Sequence, residues 1–240
     1  EQMDAMALES HTRAAQARKN GKLAPSIIPY TKEDGTVVDY DDGILAEMDG
    51  TLKTSMEKMA GLKTCFVAAE DGGKVTAATS SQTTDAASYV MIMDSDFAAE
   101  HGIKPIAKMI AFQVVGCDAT RMGMGPVYAI PEALKQAGMT SVKDLDVIEL
   151  NEAFASQAMA CVKNVVKNPM LDGFQEMWDA KKVNPYGGAM ALGHPMGATG
   201  AFLTCKVLDY LRDPETAGKH GMVTMCIGGG MGAAGIYEML

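Results

Sequence analysis

Basic residues are in deficit: 21 Lys and Arg stand against 30 Asp and Glu, a net charge of −9. With that balance there is no electrostatic footprint for nucleic acid or for an anionic membrane surface. Long apolar runs are missing too. None approaches the roughly 20 residues that span a bilayer, and the start does not read as a basic, apolar, small-residue signal peptide. Aromatic residues make up only 6% of the chain, and no C-x-x-C pair occurs among Cys65, Cys117, Cys161, Cys205 and Cys226. An odd number of widely spaced cysteines argues against a disulfide framework and against a zinc site. These absences describe a soluble, intracellular protein, expected to be cytoplasmic.

What is present is small, flexible and numerous. The chain holds 25 Gly and 20 Met within a 48% hydrophobic composition, which points to close backbone packing filled out by thioethers. Residues 1–20 read as one surface helix stopped by Asn20-Gly21. Pro25, Pro29, Gly35, Gly43 and Gly50 then punctuate a polar region of loops and short extended pieces over 21–50. Five acids fall between Asp39 and Asp49, a solvated face rather than a cation site.

After Gly73 apolar runs alternate with amphipathic patterns, the signature of an α/β domain. Tyr89 to Met93 predicts a strand, Asp94 to Glu100 a short helix closed by Gly102, and Ile106 to Val115 a second strand. A helix starts at Pro126 and runs to a cap at Gly138. Asp146 to Leu150 predicts a strand, followed by a helix with its apolar face on Ala155, Ala158, Met159, Val162 and Val166. Thr199 to Leu211 predicts a third long helix. Met222 to Ile227 and Ala234 to Met239 read as an antiparallel pair across a glycine-rich turn.

Three reactive side chains sit where an apolar run breaks into a turn, the place where α/β sheets expose groups to a cleft. Asn151 follows the predicted strand ending at Leu150, with helix capping as its alternative role. His194 lies in a Gly- and Pro-rich stretch from Asn184 that runs into a helix. Cys226 ends a strand and precedes Gly228, Gly229 and Gly230. The segment Gly230-Met-Gly-Ala-Ala-Gly235 matches G-x-G-x-x-G, but only five residues follow it, too few for the helix of a dinucleotide site. A thiol, an imidazole, an amide and glycine N–H groups together suit acyl transfer through an oxyanion. A papain-like hydrolase uses the same residue types, and this reading of the residues leaves it open.

The spacing of three segments decides further. Asn151-Glu-Ala-Phe-Ala155, Gly187-Gly-Ala-Met-Ala-Leu-Gly-His-Pro-Met-Gly-Ala-Thr-Gly-Ala201 and Cys226-Ile-Gly-Gly-Gly-Met-Gly232, in this order, resemble the C-terminal signatures of the thiolase family, the acetyl-CoA acyltransferases or 3-ketoacyl-CoA thiolases. Glu1-Gln-Met-Asp-Ala, Val75-Thr-Ala and Met122-Gly-Met-Gly-Pro126 extend the resemblance over the whole chain. It implies the α/β thiolase fold: a C-terminal βαβαβαββ half on a mixed five-stranded sheet, preceded by the end of a loop domain. Residues 1–73 would be that loop-domain part, 74–93 the return to the N-terminal half and the crossover, and 94–240 the C-terminal domain.

The function so implied is fatty-acid metabolism of the β-oxidation type. The reaction would be thiolytic cleavage of a 3-oxoacyl-CoA or the reverse Claisen condensation, with coenzyme A as a substrate and no cofactor. His194 would be the base and an oxyanion donor, Asn151 would hold a water in the same hole, and Gly228 would be a backbone donor to the other hole. Cys226 would be the cysteine that moves the α-proton. Ala77, Ser81, Ala153 and Phe154 match contacts to the pantetheine arm, and Met122 matches a pocket wall. Ala78-Thr-Ser-Ser-Gln82 and Thr84-Asp-Ala86 depart from the family's Gly-Asn-Ala-Ser-Gly and Asn-Asp-Gly beside that channel. None of the five cysteines stands in the family's nucleophile motif, and the chain begins at Glu1 rather than Met. The expectation is therefore a C-terminal portion, inactive alone and partnered by the missing N-terminal part, in a homodimer or homotetramer. A non-catalytic thiolase-like subunit of a larger acyl-CoA complex is the alternative.

Overall fold

A computed structural model describes all 240 residues. The N-terminal residues form α1 (Gln2–Lys19), with Asp4 in its first turn and Arg18 and Lys19 in its last, charges that complement the helix dipole. The chain leaves it through Asn20 and Gly21, as the sequence predicts. Ala7, Ala14, Ala15 and Ala17 are buried along the helix, so its backbone lies close to the loops beneath it. The polar region then forms a small antiparallel pair, β1 (Tyr30–Thr31) and β2 (Val37–Val38). Two short helices follow, α2 (Met56–Ala60) and α3 (Ser95–Glu100). Asp94 caps α3 by accepting from the N–H of Asp96 at 2.8 Å, the use of Asp at an N-cap.

The remaining chain builds β3 (Ala107–Gly116), α4 (Gly125–Gln136), β4 (Val147–Leu150) and α5 (Ala155–Val162). It continues through α6 (Phe174–Asp179), α7 (Ala189–Leu192), α8 (Thr199–Arg212), β5 (His220–Ile227) and β6 (Met231–Met239). The four-stranded sheet has the order β3-β6-β5-β4. Its first two pairings are antiparallel, and β5 runs parallel to β4. Every residue of β4 is buried, as a strand covered on both faces requires. Alternation sends Ile148 and Leu150 into the larger core, with Ile130 and Leu134 of α4, and Val147 into a smaller one with Leu203, Val207 and Leu211 of α8. No helix is long and apolar enough to cross a membrane.

Three expectations need correction. The predicted fifth strand of the large sheet is reduced to one bridge, Val183 beside Ile148. Asn184 leaves the extended region at φ +48°, which ends backbone pairing. Its side chain then takes over the next rung, accepting from Leu150 N–H and donating to Leu150 O, each at 2.8 Å. With that bridge counted as the third strand, the element order is still βαβαβαββ.

Tyr89 to Met93 forms no strand. Tyr89, Met91 and Ile92 are each about 80% exposed, and the segment has no neighbour to pair with, which a strand needs for its backbone groups. Finally, α5 ends at Val162, because Asn164 at φ +47° turns the chain. Val166 therefore lies beyond the helix and half-exposed.

Candidate active site

Parallel pairing brings the ends of β4 and β5 to one edge of the sheet. Asn151 N–H donates to Thr224 O at 2.9 Å, so Asn151 opens the turn after β4 while Cys226 stands near the end of the adjacent strand. The turn after β5 folds back through Gly228 to β6, and Gly230 O accepts from Cys117 N–H at 2.7 Å. This seats the 3-10 segment Ala119–Met124, with Met122 in it, against that turn. The G-x-G-x-x-G match becomes strand from Met231 onward, with no helix behind it.

His194 arrives from another direction and meets Asn151. Its Nε2 lies 3.4 Å from Asn151 Nδ2, and its Nδ1 lies 2.7 Å from Thr199 Oγ1. The Thr199 hydroxyl donates to Pro195 O at 3.1 Å, so its oxygen accepts from His194, which places the ring proton on Nδ1. Nε2 is left unprotonated, and its lone pair accepts from Asn151 Nδ2. Burial holds the imidazole below the usual histidine range, which keeps it neutral, the form a general base needs. Asn151 is 1% exposed, and its Oδ1 is buried without a protein partner.

The segment 80–82 joins these loops. Ser81 N–H donates to Ala153 O at 2.9 Å, His194 N–H donates to Gln82 O at 3.1 Å, and Ser80 bridges Phe154. Gln82 Nε2 also donates to Gly43 O at 2.8 Å and Met190 O at 2.9 Å. The departure from family pattern at Gln82 thus ties the acidic loop to α7. Ala153 is buried, Phe154, Ser81 and Met122 are half-buried, and Ala77 and Gly228 are exposed. Cys226 is buried, and burial pushes its thiol above the ordinary range. It rests as the thiol.

Two further residues belong to this cluster. Thr199 carries the histidine tautomer, and its place five residues after His194 at a helix start was the available signal. Phe66, at φ +68° and 83% exposed, packs edge-on to Phe154 with centroids 6.0 Å apart. Nothing in its local sequence marks it. No cysteine is a hydrogen-bond partner of His194, and the residues gathered here can accept a proton, donate one and hold an oxyanion.

Comparison with known proteins supplies a family for this geometry. The family models for the thiolase N-terminal domain and C-terminal domain match residues 1–96 and 103–239. The chain is 42% identical over 246 aligned residues to peroxisomal 3-ketoacyl-CoA thiolase B of Rattus norvegicus, covering 99% of this chain and 53% of that protein. It is 41% identical to a 3-ketoacyl-CoA thiolase of Saccharophagus degradans, with coverage of 99% and 57%. Human mitochondrial 3-ketoacyl-CoA thiolase in complex with CoA superposes with a TM-score of 0.81 at 32% identity, over 99% of this chain and 54% of that one. The dimeric peroxisomal thiolase of Saccharomyces cerevisiae superposes with a TM-score of 0.80 at 33% identity, over 99% and 55%. The chain thus spans about half the length of the relatives it matches. Because the N-terminal-domain model covers residues 1–96, it gives no support to the expectation that the family's N-terminal part is missing.

Proposed function

The chain belongs to the thiolase family, and from that premise we propose that it serves the thiolysis of 3-oxoacyl-CoA to acetyl-CoA and a shortened acyl-CoA, or the reverse condensation. One observation carries the reading: a neutral imidazole held by Thr199 presents an unprotonated Nε2 to the buried amide of Asn151. His194 Nε2 takes the proton of a thiol, and the resulting thiolate attacks the 3-carbonyl carbon of the substrate. The oxyanion collapses with cleavage of the bond between C2 and C3, leaving an acyl thioester. The electron pair stays on C2 of acetyl-CoA, where the Cys226 S–H supplies a proton.

Once His194 has passed its proton to the Cys226 thiolate, it deprotonates coenzyme A, whose thiolate takes the acyl group; the thiolate this frees recovers the proton from His194. The buried Cys226 suits this direction, because a thiol with a raised pKa rests protonated. Asn151, with an orphaned acceptor, holds a water or a substrate donor beside His194, and Gly228 offers its N–H at the other carbonyl. Ala77, Ser81, Ala153 and Phe154 take the pantetheine arm, with Met122 as a wall of the acyl pocket.

The acyl-carrying thiol lies outside the five cysteines of this chain, none of which bonds to His194. The domain reading goes with it: residues 1–73 from a loop domain, 74–93 a crossover, and 94–240 a C-terminal domain, in an assembly that includes a second copy. The test is thiolysis of acetoacetyl-CoA by the full-length protein, followed through loss of the substrate's enolate absorbance. His194→Asn should abolish turnover. Cys226→Ala should still allow acyl transfer from labelled acyl-CoA but stop carbon–carbon cleavage. Wild-type turnover in His194→Asn would overturn the reading.

A further inference from the structure

Two buried carboxylates flank Asn151, and the reaction proposed above uses neither. Glu149 and Glu152 are both fully buried, and Lys206 on α8 is 4% exposed. Lys206 Nζ donates to Glu149 Oε2 and to the Gly187 carbonyl, each at 2.6 Å. The same peptide is gripped from its other side. Gly188 N–H donates to Ser10 Oγ at 3.0 Å, and Ser10 Oγ donates to Glu152 Oε2 at 2.7 Å. Asn184 Nδ2 donates to Glu152 Oε1 at 2.7 Å. Gly188 has no room for more, since a Cβ there would overlap the Glu152 carboxylate.

From this clamp the backbone runs through one continuous helical turn. Leu192 N–H donates to Gly188 O at 2.9 Å and Gly193 N–H to Ala189 O at 3.0 Å, so α7 carries the position of Gly188 to the residue before His194. Glu149 itself is two residues before Asn151 on β4. An ion pair in such a place is a poor way to fill a core, because apolar residues of like volume stabilise as well or better. Its distinguishing contact is the Gly187 carbonyl.

Resting on the assignment of His194 as the base, we propose that the Lys206–Glu149 pair is a positioning device that ties the strand carrying Asn151 to the turn carrying His194. Neither residue touches substrate. The pair sets the distance between the amide and the imidazole, and Glu152 with Ser10 closes the same turn from the α1 side. The charged groups facing the pair are Glu152, Arg13 and Asp41, none of which reaches Gly187 O.

The experiment reads that distance without needing turnover. In the native protein the Asn151 side-chain amide resonance should move with protonation of His194, whose imidazole is assigned by its loss in His194→Asn. Lys206→Met should abolish this coupled titration while His194 still titrates. Glu149→Gln/Lys206→Met removes both charges, so thermal stability should return toward wild type while the coupling stays lost. A coupled Asn151 resonance in either folded variant would overturn the proposal, reducing the pair to core packing. In the full-length protein Lys206→Met should lower kcat about tenfold with KM unchanged, and a normal kcat contradicts it. If thiolysis is absent even in wild type, the functional reading fails while the titration still decides this one.

Discussion

Two apolar stretches of this chain have opposite fates. Residues 187–194 are held by buried ions, by Ser10 and by the Gln82 amide. Residues 89–92 lie extended with their side chains in solvent, and Cys205 Sγ donates to Tyr89 O at a long 3.8 Å. Local composition points the wrong way, since the β-branched and aromatic residues that favour strands are in the second. The difference is what surrounds each backbone. A buried turn must find a partner for each polar group, and here those partners are polar and charged side chains brought from α1, the turn after β4, and α8. An exposed segment has water, and nothing selects its register.

The sharpest way to break this contrast is Gly188→Ala. The new methyl would overlap a carboxylate that is fixed by Ser10 and Asn184, so urea unfolding should show a loss of at least about 3 kcal/mol. Gly228→Ala is the control at the same edge of the sheet. A Cβ at Gly228 meets nothing within 4 Å, and its cost should stay within about 0.5 kcal/mol.

A second difference is in pH. His11, on the face of α1 beneath these loops, is 2% exposed, accepts from Leu45 N–H at 3.2 Å, and is lowered by burial to about 4. The unfolded chain binds a proton there more readily, so this contribution is complete above about pH 6.5 and is lost as pH falls toward 4. Its size is on the order of 3 kcal/mol. Glu149, pushed up to about 7 by burial, works in the opposite sense. The folded state holds its proton more tightly between about 4.5 and 7, so that contribution falls as pH rises through the window. His11→Gln should therefore flatten the loss of stability on acidification, and an unchanged slope in urea melts between pH 6.5 and 4 would contradict the burial argument.

The smallest effect belongs to the exposed segment. Ile92→Ser should leave stability within about 0.5 kcal/mol and raise solubility by shrinking an apolar patch. A loss of 2 kcal/mol or more would mean that residues 89–92 are packed after all.

The same contrast explains which parts of the molecule could be read from the residues alone. Stops at Asn20-Gly21 and Gly138, the helix beginning near Pro126, and the paired strands around the final glycines are local rules, and each element formed within a residue or a few of its expected place. Asn151, His194 and Cys226 were legible because each breaks an apolar run at a turn. What stayed hidden depended on distant partners. Asn184 substitutes a side chain for a strand's rung, and its φ of +48° ends the pairing of Val183 with Ile148. Lys206 sits at a helical position where lysine ordinarily means solvent, and only the fold shows that Glu149 and a glycine carbonyl await it. Tyr89 to Met93 has every local mark of a strand except a neighbour.

The central claim is that Asn151 and His194 act as one unit on the acyl-CoA carbonyl, and a double-mutant cycle on thiolysis by the full-length protein tests it most directly. Asn151→Ala should lower kcat by about 10² to 10³, and His194→Asn by more. Groups that act together are not additive, so the double variant should be no slower than His194→Asn alone. Losses that multiply, or an Asn151→Ala enzyme with wild-type kcat, would contradict the account.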